Sequence, residues 1–231
     1  MSGRAGGGDG PRAPGGSPGG RGGRAAALGA EDAATFARCM RVGGVAVFPA
    51  DTVYGLACEP DLPEAVGRLY AIKGRRPDKP AAVMFFDPEL AFAALPELGP
   101  RTRALLERVL PGGLTALLPN PERRFPLACG PAPDTLGVRV PALPPAIAAL
   151  AAVRWPVLQS SANPAGGADA RRLGDVPAGI RRAADLVLDG GVLPGTPSTV
   201  VDLRRYEAGG DWAVVREGAV PADAIARAAA G

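Results

Sequence analysis

The 231-residue chain has no histidine. That absence removes the commonest general base, the imidazole-dependent nucleophile triads and the commonest transition-metal ligand together. An enzyme built from this sequence must work by positioning and electrostatics. Cysteine is scarce: Cys39, Cys58 and Cys129 are widely spaced, odd in number and form no Cys-x-x-Cys pair. This argues against a disulfide framework or a zinc site and fits a reducing compartment. No apolar run approaches the roughly 20 residues that cross a bilayer, and the N-terminus lacks the apolar core of a secretory signal. The expectation is a cytoplasmic protein with no membrane partner. Lysine is almost missing as well, with two residues against 24 arginines.

The body of the chain also lacks an excess of either charge. The formal net charge is +3, but Arg4, Arg12, Arg21 and Arg24 stand against Asp9 alone before residue 25 and account for all of it. Residues 25–231 are balanced, so net charge gives no support for nucleic-acid binding by the body. Residues 1–27 are rich in Gly, Pro and Arg and cannot bury enough apolar surface to offset chain entropy. They are expected to be a disordered tail, and residues 28–231 one domain.

From about residue 30 helix-like and strand-like segments alternate. Residues 31–42 read as a helix stopped by Gly43-Gly44, and 45–48 as a buried strand broken at Pro49-Ala50-Asp51-Thr52. Asp51 and Thr52 then stand at a strand's carboxyl end, where open α/β sheets place ligands. Asp61 as N-cap and Pro63 in the first turn predict a helix over 62–72 that ends at Gly74. Further helices are predicted over 100–110, 144–153, 176–184 and 222–229. Strands are predicted over 81–86, 114–118, 135–140, 156–159, 186–188, 198–203 and 212–216. Several connections are too short for a crossover helix, so the class is α/β with a mixed parallel and antiparallel sheet.

Both lysines fall in Lys73-Gly74-Arg75-Arg76-Pro77-Asp78-Lys79-Pro80. Compact ammonium groups suit phosphate oxygens, and a guanidinium grips phosphate or carboxylate with two bonds; a solvated basic loop explains the same residues. Ser160-Ser161-Ala162-Asn163-Pro164 follows a strand, where hydroxyls and an amide can donate to anions, although an Asn-Pro turn needs no ligand. No Gly-x-x-x-x-Gly-Lys-Ser/Thr loop is present, so a Walker-type site is not supported. Thr135, Gly137 and Arg139 share one face of their strand. An arginine there is costly to bury unless it meets an anion; the other reading is an exposed face. Asp51, Asp134 and Asp202 could hold Mg²⁺, but their spacing does not bring them together. Gly190 to Pro197 suits a mobile loop over a site.

Taken in order, four segments resemble the YrdC-like threonylcarbamoyl-AMP synthase family: Pro49 to Leu56, Lys73-Gly74-Arg75 with Lys79-Pro80, Ser161-Ala162-Asn163, and Ser198 to Asp202. The match runs from about residue 43 to 218. The resemblance implies a twisted mixed open sheet with flanking helices and a large concave cavity, making residues 28–231 the catalytic domain. It implies ATP, accompanied by Mg²⁺, with L-threonine and bicarbonate or CO₂ as substrates. Threonylcarbamoyl-adenylate and pyrophosphate would be the products, and a downstream transferase would use the adenylate to modify tRNA. By position, Lys73 and Arg75 would be catalytic. Thr52, Arg139 and Ser198 would contact threonine, and Arg75, Lys79, Thr135, Ser161, Asn163 and Arg216 the nucleotide; no protein metal ligands are assigned. The family's pattern is broken by Ala50, by Met84 near the threonine pocket and by Asp169 where a small hydroxyl residue often contacts nucleotide. Two other readings stay open: a non-enzymatic RNA-binding member of the fold, and a carbamoyl-adenylate-forming maturation domain.

Overall fold

The computed structural model describes residues 27–231. The expected disordered tail lies, apart from Ala27, outside the described residues. Nine strands are found among them: β1 (Ala46–Pro49), β2 (Tyr54–Cys58), β3 (Ala82–Met84), β4 (Leu114–Pro119), β5 (Thr135–Arg139), β6 (Val157–Ser161), β7 (Leu186–Val187), β8 (Thr199–Asp202) and β9 (Ala213–Arg216). They form one sheet in the order β7-β1-β2-β6-β3-β5-β4-β8-β9. The β1/β7, β3/β5 and β4/β8 pairs are parallel and the other five antiparallel, so the expected mixed sheet is present.

Alternation of side chains along the strands builds two unlike faces. One face carries Val47, Leu56, Leu158, Val83, Val138, Ala116 and Val201, all buried in a single core. That core is closed by α2 (Pro63–Lys73), α3 (Pro88–Ala94), α4 (Pro100–Val109), α6 (Ala178–Ala183) and α8 (Ala222–Ala230), with the short turns α5 (Pro126–Cys129) and α7 (Tyr206–Gly209) at its rim. The opposite face is covered only in part. There α1 (Ala30–Arg41) and a 3₁₀ helix (Pro145–Ala152) set Phe36, Met40, Ile147 and Leu150 on Ala46, Phe48, Ala57, Met84 and Val157. Phe36 lies 5.2 Å from Phe48 and meets Phe86 edge-on at 5.7 Å, as aromatic quadrupoles favour. Beyond this cap, the same face over β5, β4 and β8 is open and forms a cavity.

Several expectations are corrected. The break after β1 is a four-residue turn closed by Ala50 N donating to Val53 O at 3.3 Å, and it leads into a strand, β2, that is not among those expected. This strand is buried on both faces, so it shows no alternation. Its Gly55 has little space: a Cβ there would lie 3.0 Å from the Phe48 ring and the Gln159 amide. The N-cap of α2 is Leu62 rather than Asp61, with no side-chain cap; Pro63 opens the helix and Gly74, at φ 60°, stops it. The segment expected as a helix over 144–153 is 3₁₀. In α3, also not among those expected, the Asp87 carboxylate accepts from Glu89 N at 2.9 Å.

Candidate active site

Arg139 closes β5 at 3% exposure, on the wall of the cavity. Its Nη2 donates to the Asp51 carboxylate and, at 2.5 Å, to the Thr52 hydroxyl. The other Asp51 oxygen accepts from Ala142 N at 3.2 Å. The expected anion beside Arg139 is therefore supplied by the protein. Burial pulls the guanidinium pKa down, Asp51 raises it and Arg216 lowers it again. Among the described residues Arg139 Nε is buried without a hydrogen-bond partner.

Lys73 ends α2 at 4% exposure, and its ammonium meets four oxygens: Ser161 O at 2.7 Å, Ser161 Oγ at 3.2 Å, Asn163 O at 2.8 Å and Asn163 Oδ1 at 2.6 Å. Burial, helped by the nearby Arg75 charge, lowers its pKa to about 8, against a smaller raising effect of Asp169. Asn163 in turn donates to Gly167 O at 2.5 Å and to Asp169 at 3.3 Å. Lys73 thus holds the loop after β6 from behind.

Arg75, just past the Gly74 stop, spans the cavity rim. It donates to Ser160 Oγ at 3.4 Å and to the Pro80 carbonyl, and lies 5.8 Å over the Tyr70 ring. Across the cavity the Ser198 hydroxyl is 2.8 Å from Thr115 Oγ1, and Arg216 from β9 donates to Ser198 O at 2.6 Å. The cavity, of about 300 Å³, is lined by three arginines, the hydroxyls of Thr115, Thr135, Ser160, Ser161 and Ser198, the Gln159 amide and one carboxylate, Asp169. Cations and neutral donors gathered over a sheet's open face make an anion site.

The sequence profile of the Sua5/YciO/YrdC family, described as "Telomere recombination", matches residues 38–218. The chain belongs to this family. It is 37% identical over 170 residues to the threonylcarbamoyl-AMP synthase of Chromohalobacter salexigens, covering 73% of this chain and 90% of the relative. It is 29% identical over 187 residues to the synthase of Pyrococcus abyssi, covering 80% of this chain and 54% of the relative. Among solved structures, P. abyssi Sua5 complexed with L-threonine aligns with TM-score 0.75 and 28% identity, and Escherichia coli YciO with 0.71 and 25%. The chain spans 58% of that Sua5 chain and 96% of YciO, with 87% of itself covered in each case.

As a Sua5/YciO/YrdC protein, the chain brings six of its ten anticipated site residues to the cavity wall: Arg75, Thr135, Arg139, Ser161, Ser198 and Arg216. Lys73 and Asn163 stand behind that wall, Thr52 reaches it through Arg139, and exposed Lys79 offers its carbonyl to Tyr70. Met84 is fully buried beneath α1 and does not line the cavity. Asp169 does line it. Asp51, Asp134 and Asp202 do not converge: each pairs with its own arginine, Arg139, Arg123 and Arg204. The segment from Gly190 to Pro197 is tied down, with Gly190 N donating to the Tyr54 hydroxyl at 3.0 Å and Gly195 N to Thr52 O at 2.9 Å. Thr115 and Gln159 were not anticipated, while Ser160 belongs to the segment whose hydroxyls were expected to donate to anions. Thr115 pairs in register with Arg139, so its place follows only once the register is known.

Proposed function

We infer that this chain catalyses the reaction its relatives are named for, the synthesis of threonylcarbamoyl-AMP. The observation that carries this reading is the buried Arg139, half-engaged by Asp51 and Thr52, on the wall of a cavity that Arg75 lines from one side and Arg216 from the other. L-threonine enters with its carboxylate on Arg139 and its side chain near Thr52 and Ser198. Its amine adds to CO₂, giving a carbamate and losing a proton to solvent; from bicarbonate the same carbamate forms with release of water. A carbamate oxygen then attacks the α-phosphorus of ATP; the bond between that phosphorus and the bridging oxygen breaks, and pyrophosphate leaves. Arg75, Arg216, Thr135 and Ser161 face the nucleotide and draw anions together that would otherwise repel, which is where the rate gain arises. No side chain needs to be a nucleophile, in keeping with the lack of histidine.

The residues fit a Mg²⁺ carried in on the triphosphate. Asp169 is the one carboxylate on the wall, no cluster of three ligating side chains occurs among the described residues, and such ions take one or two carboxylates plus phosphate oxygens. Bound there, the ion would spread the charge of the departing pyrophosphate. The adenylate would pass to a transferase that modifies tRNA in the cytoplasm; no helix among the described residues is long and apolar enough to cross a membrane.

The test is mass spectrometry of the reaction with ¹³C-bicarbonate, ATP and L-threonine. A threonylcarbamoyl-adenylate carrying the label is expected; its absence, with an adenylate formed only when carbamoyl phosphate replaces threonine and bicarbonate, would overturn the reading in favour of a carbamoyl-adenylate activity.

A further inference from the structure

Arg139 must present its guanidinium correctly before a substrate arrives, and a long side chain does not do this unaided. Its Nη2 is held by Asp51, whose side chain is 4% exposed, and by the Thr52 hydroxyl at 2.5 Å. Asp51 also accepts from Ala142 N at 3.2 Å. One carboxylate therefore ties the turn between β1 and β2 to the chain leaving β5, with the guanidinium clamped between them. A guanidinium carries five donors in a rigid fork. Holding one nitrogen fixes the plane of the others; Nε is buried without a partner, and the residue lines the cavity wall.

We propose that Asp51 is a positioning residue for amino-acid recognition: it orients Arg139 so that the free part of the fork meets the substrate α-carboxylate. This rests on the reading that Arg139 grips that carboxylate. Two physical roles for Asp51 have opposite consequences. A mere counter-ion competes with the substrate carboxylate for one cation, so removing its charge would tighten substrate binding. A positioning group lowers the cost of orienting the fork, so removing it weakens binding.

The experiment measures pyrophosphate release by the full-length chain and its variants Asp51→Asn, Arg139→Gln and the double variant, with melting curves for each. Asp51→Asn is expected to raise KM for L-threonine by about tenfold or more while KM for ATP stays within about twofold. In the Arg139→Gln background it adds no further change, because Asp51 acts through Arg139. An unchanged or lower threonine KM in Asp51→Asn, with Arg139→Gln clearly impaired, overturns the positioning role. An unchanged threonine KM in Arg139→Gln overturns the carboxylate reading beneath it, and the role of Asp51 with it. Should Asp51→Asn fail to fold, Asp51→Glu keeps the charge on a longer arm and displaces the fork; a wild-type threonine KM there counts against the proposal.

Discussion

Lys73 carries its ammonium inside the protein, and its neighbours decide when the proton leaves. With its pKa lowered to about 8 by burial and by Arg75, the group is charged below that pH and donates to Ser161 and Asn163. Above it, a neutral amine faces carbonyl oxygens with one donor fewer and no charge, so the loop after β6 loosens. An alkaline limb in kcat/KM for ATP is expected near an apparent pKa of about 8, since kcat/KM reports the free enzyme. In Lys73→Arg, which stays charged, the limb of the remaining activity should move above about pH 10; a pH-rate profile checks both. The residue's identity was readable in the sequence, and its direction was not. Lys73 was expected to be catalytic, and the end of α2 turns its ammonium onto Ser161 and Asn163, behind the wall that Ser161 lines. Arg75, two residues on and beyond the left-handed Gly74, does reach the cavity.

At the scale of elements, two close contacts fix loops beside the sheet. Gly218 lies against the Pro197 carbonyl and the backbone of Ser198 and Thr199, and a Cβ there would overlap all three. Gly218→Ala should cost about 3 kcal/mol or more of stability, within the range for overpacking and backbone strain, and should displace Ser198 and Arg216. Urea denaturation alongside threonine KM measures both effects. The Tyr54 hydroxyl is 2.9 Å from both the Asp189 carboxylate and the Gly191 carbonyl, and burial with Asp189 raises its pKa. Tyr54→Phe is expected to cost about 1 kcal/mol and to speed hydrogen exchange at Gly190 and Gly191. Elements with strong local signals were readable: α1, α2, α4 and α8, and strands such as β5 with Thr135, Gly137 and Arg139 on one face. The strand β2 escaped because a doubly buried run containing glycine has neither alternation nor strong propensity. The mixed pairing followed from connection lengths, whereas the register that sets Thr115 opposite Arg139 depends on distant partners.

Over the whole molecule, the sheet's two faces divide the work: one is sealed by helices, while the other leaves part of itself open to anions. The sealed side has its own signature. Burial pushes the Cys58 thiol up to about 12 from an ordinary value of 9.0. The folded thiol stays protonated where the unfolded one ionises, so this contribution is intact below about pH 9 and is lost as pH rises toward 12. Urea midpoints should fall across that window in the wild type and fall less in Cys58→Ala. Balanced charge over residues 25–231 left the anion site invisible to composition; three arginines on separate strands and loops converge only when the chain is folded.

The most direct test of the central claim is pyrophosphate release with ATP, Mg²⁺ and bicarbonate, comparing L-threonine, L-serine and no amino acid. Release is expected to require both L-threonine and bicarbonate, to be much weaker with L-serine, and to collapse in Arg139→Ala. No release under any condition, together with steeply salt-dependent RNA binding, would contradict it.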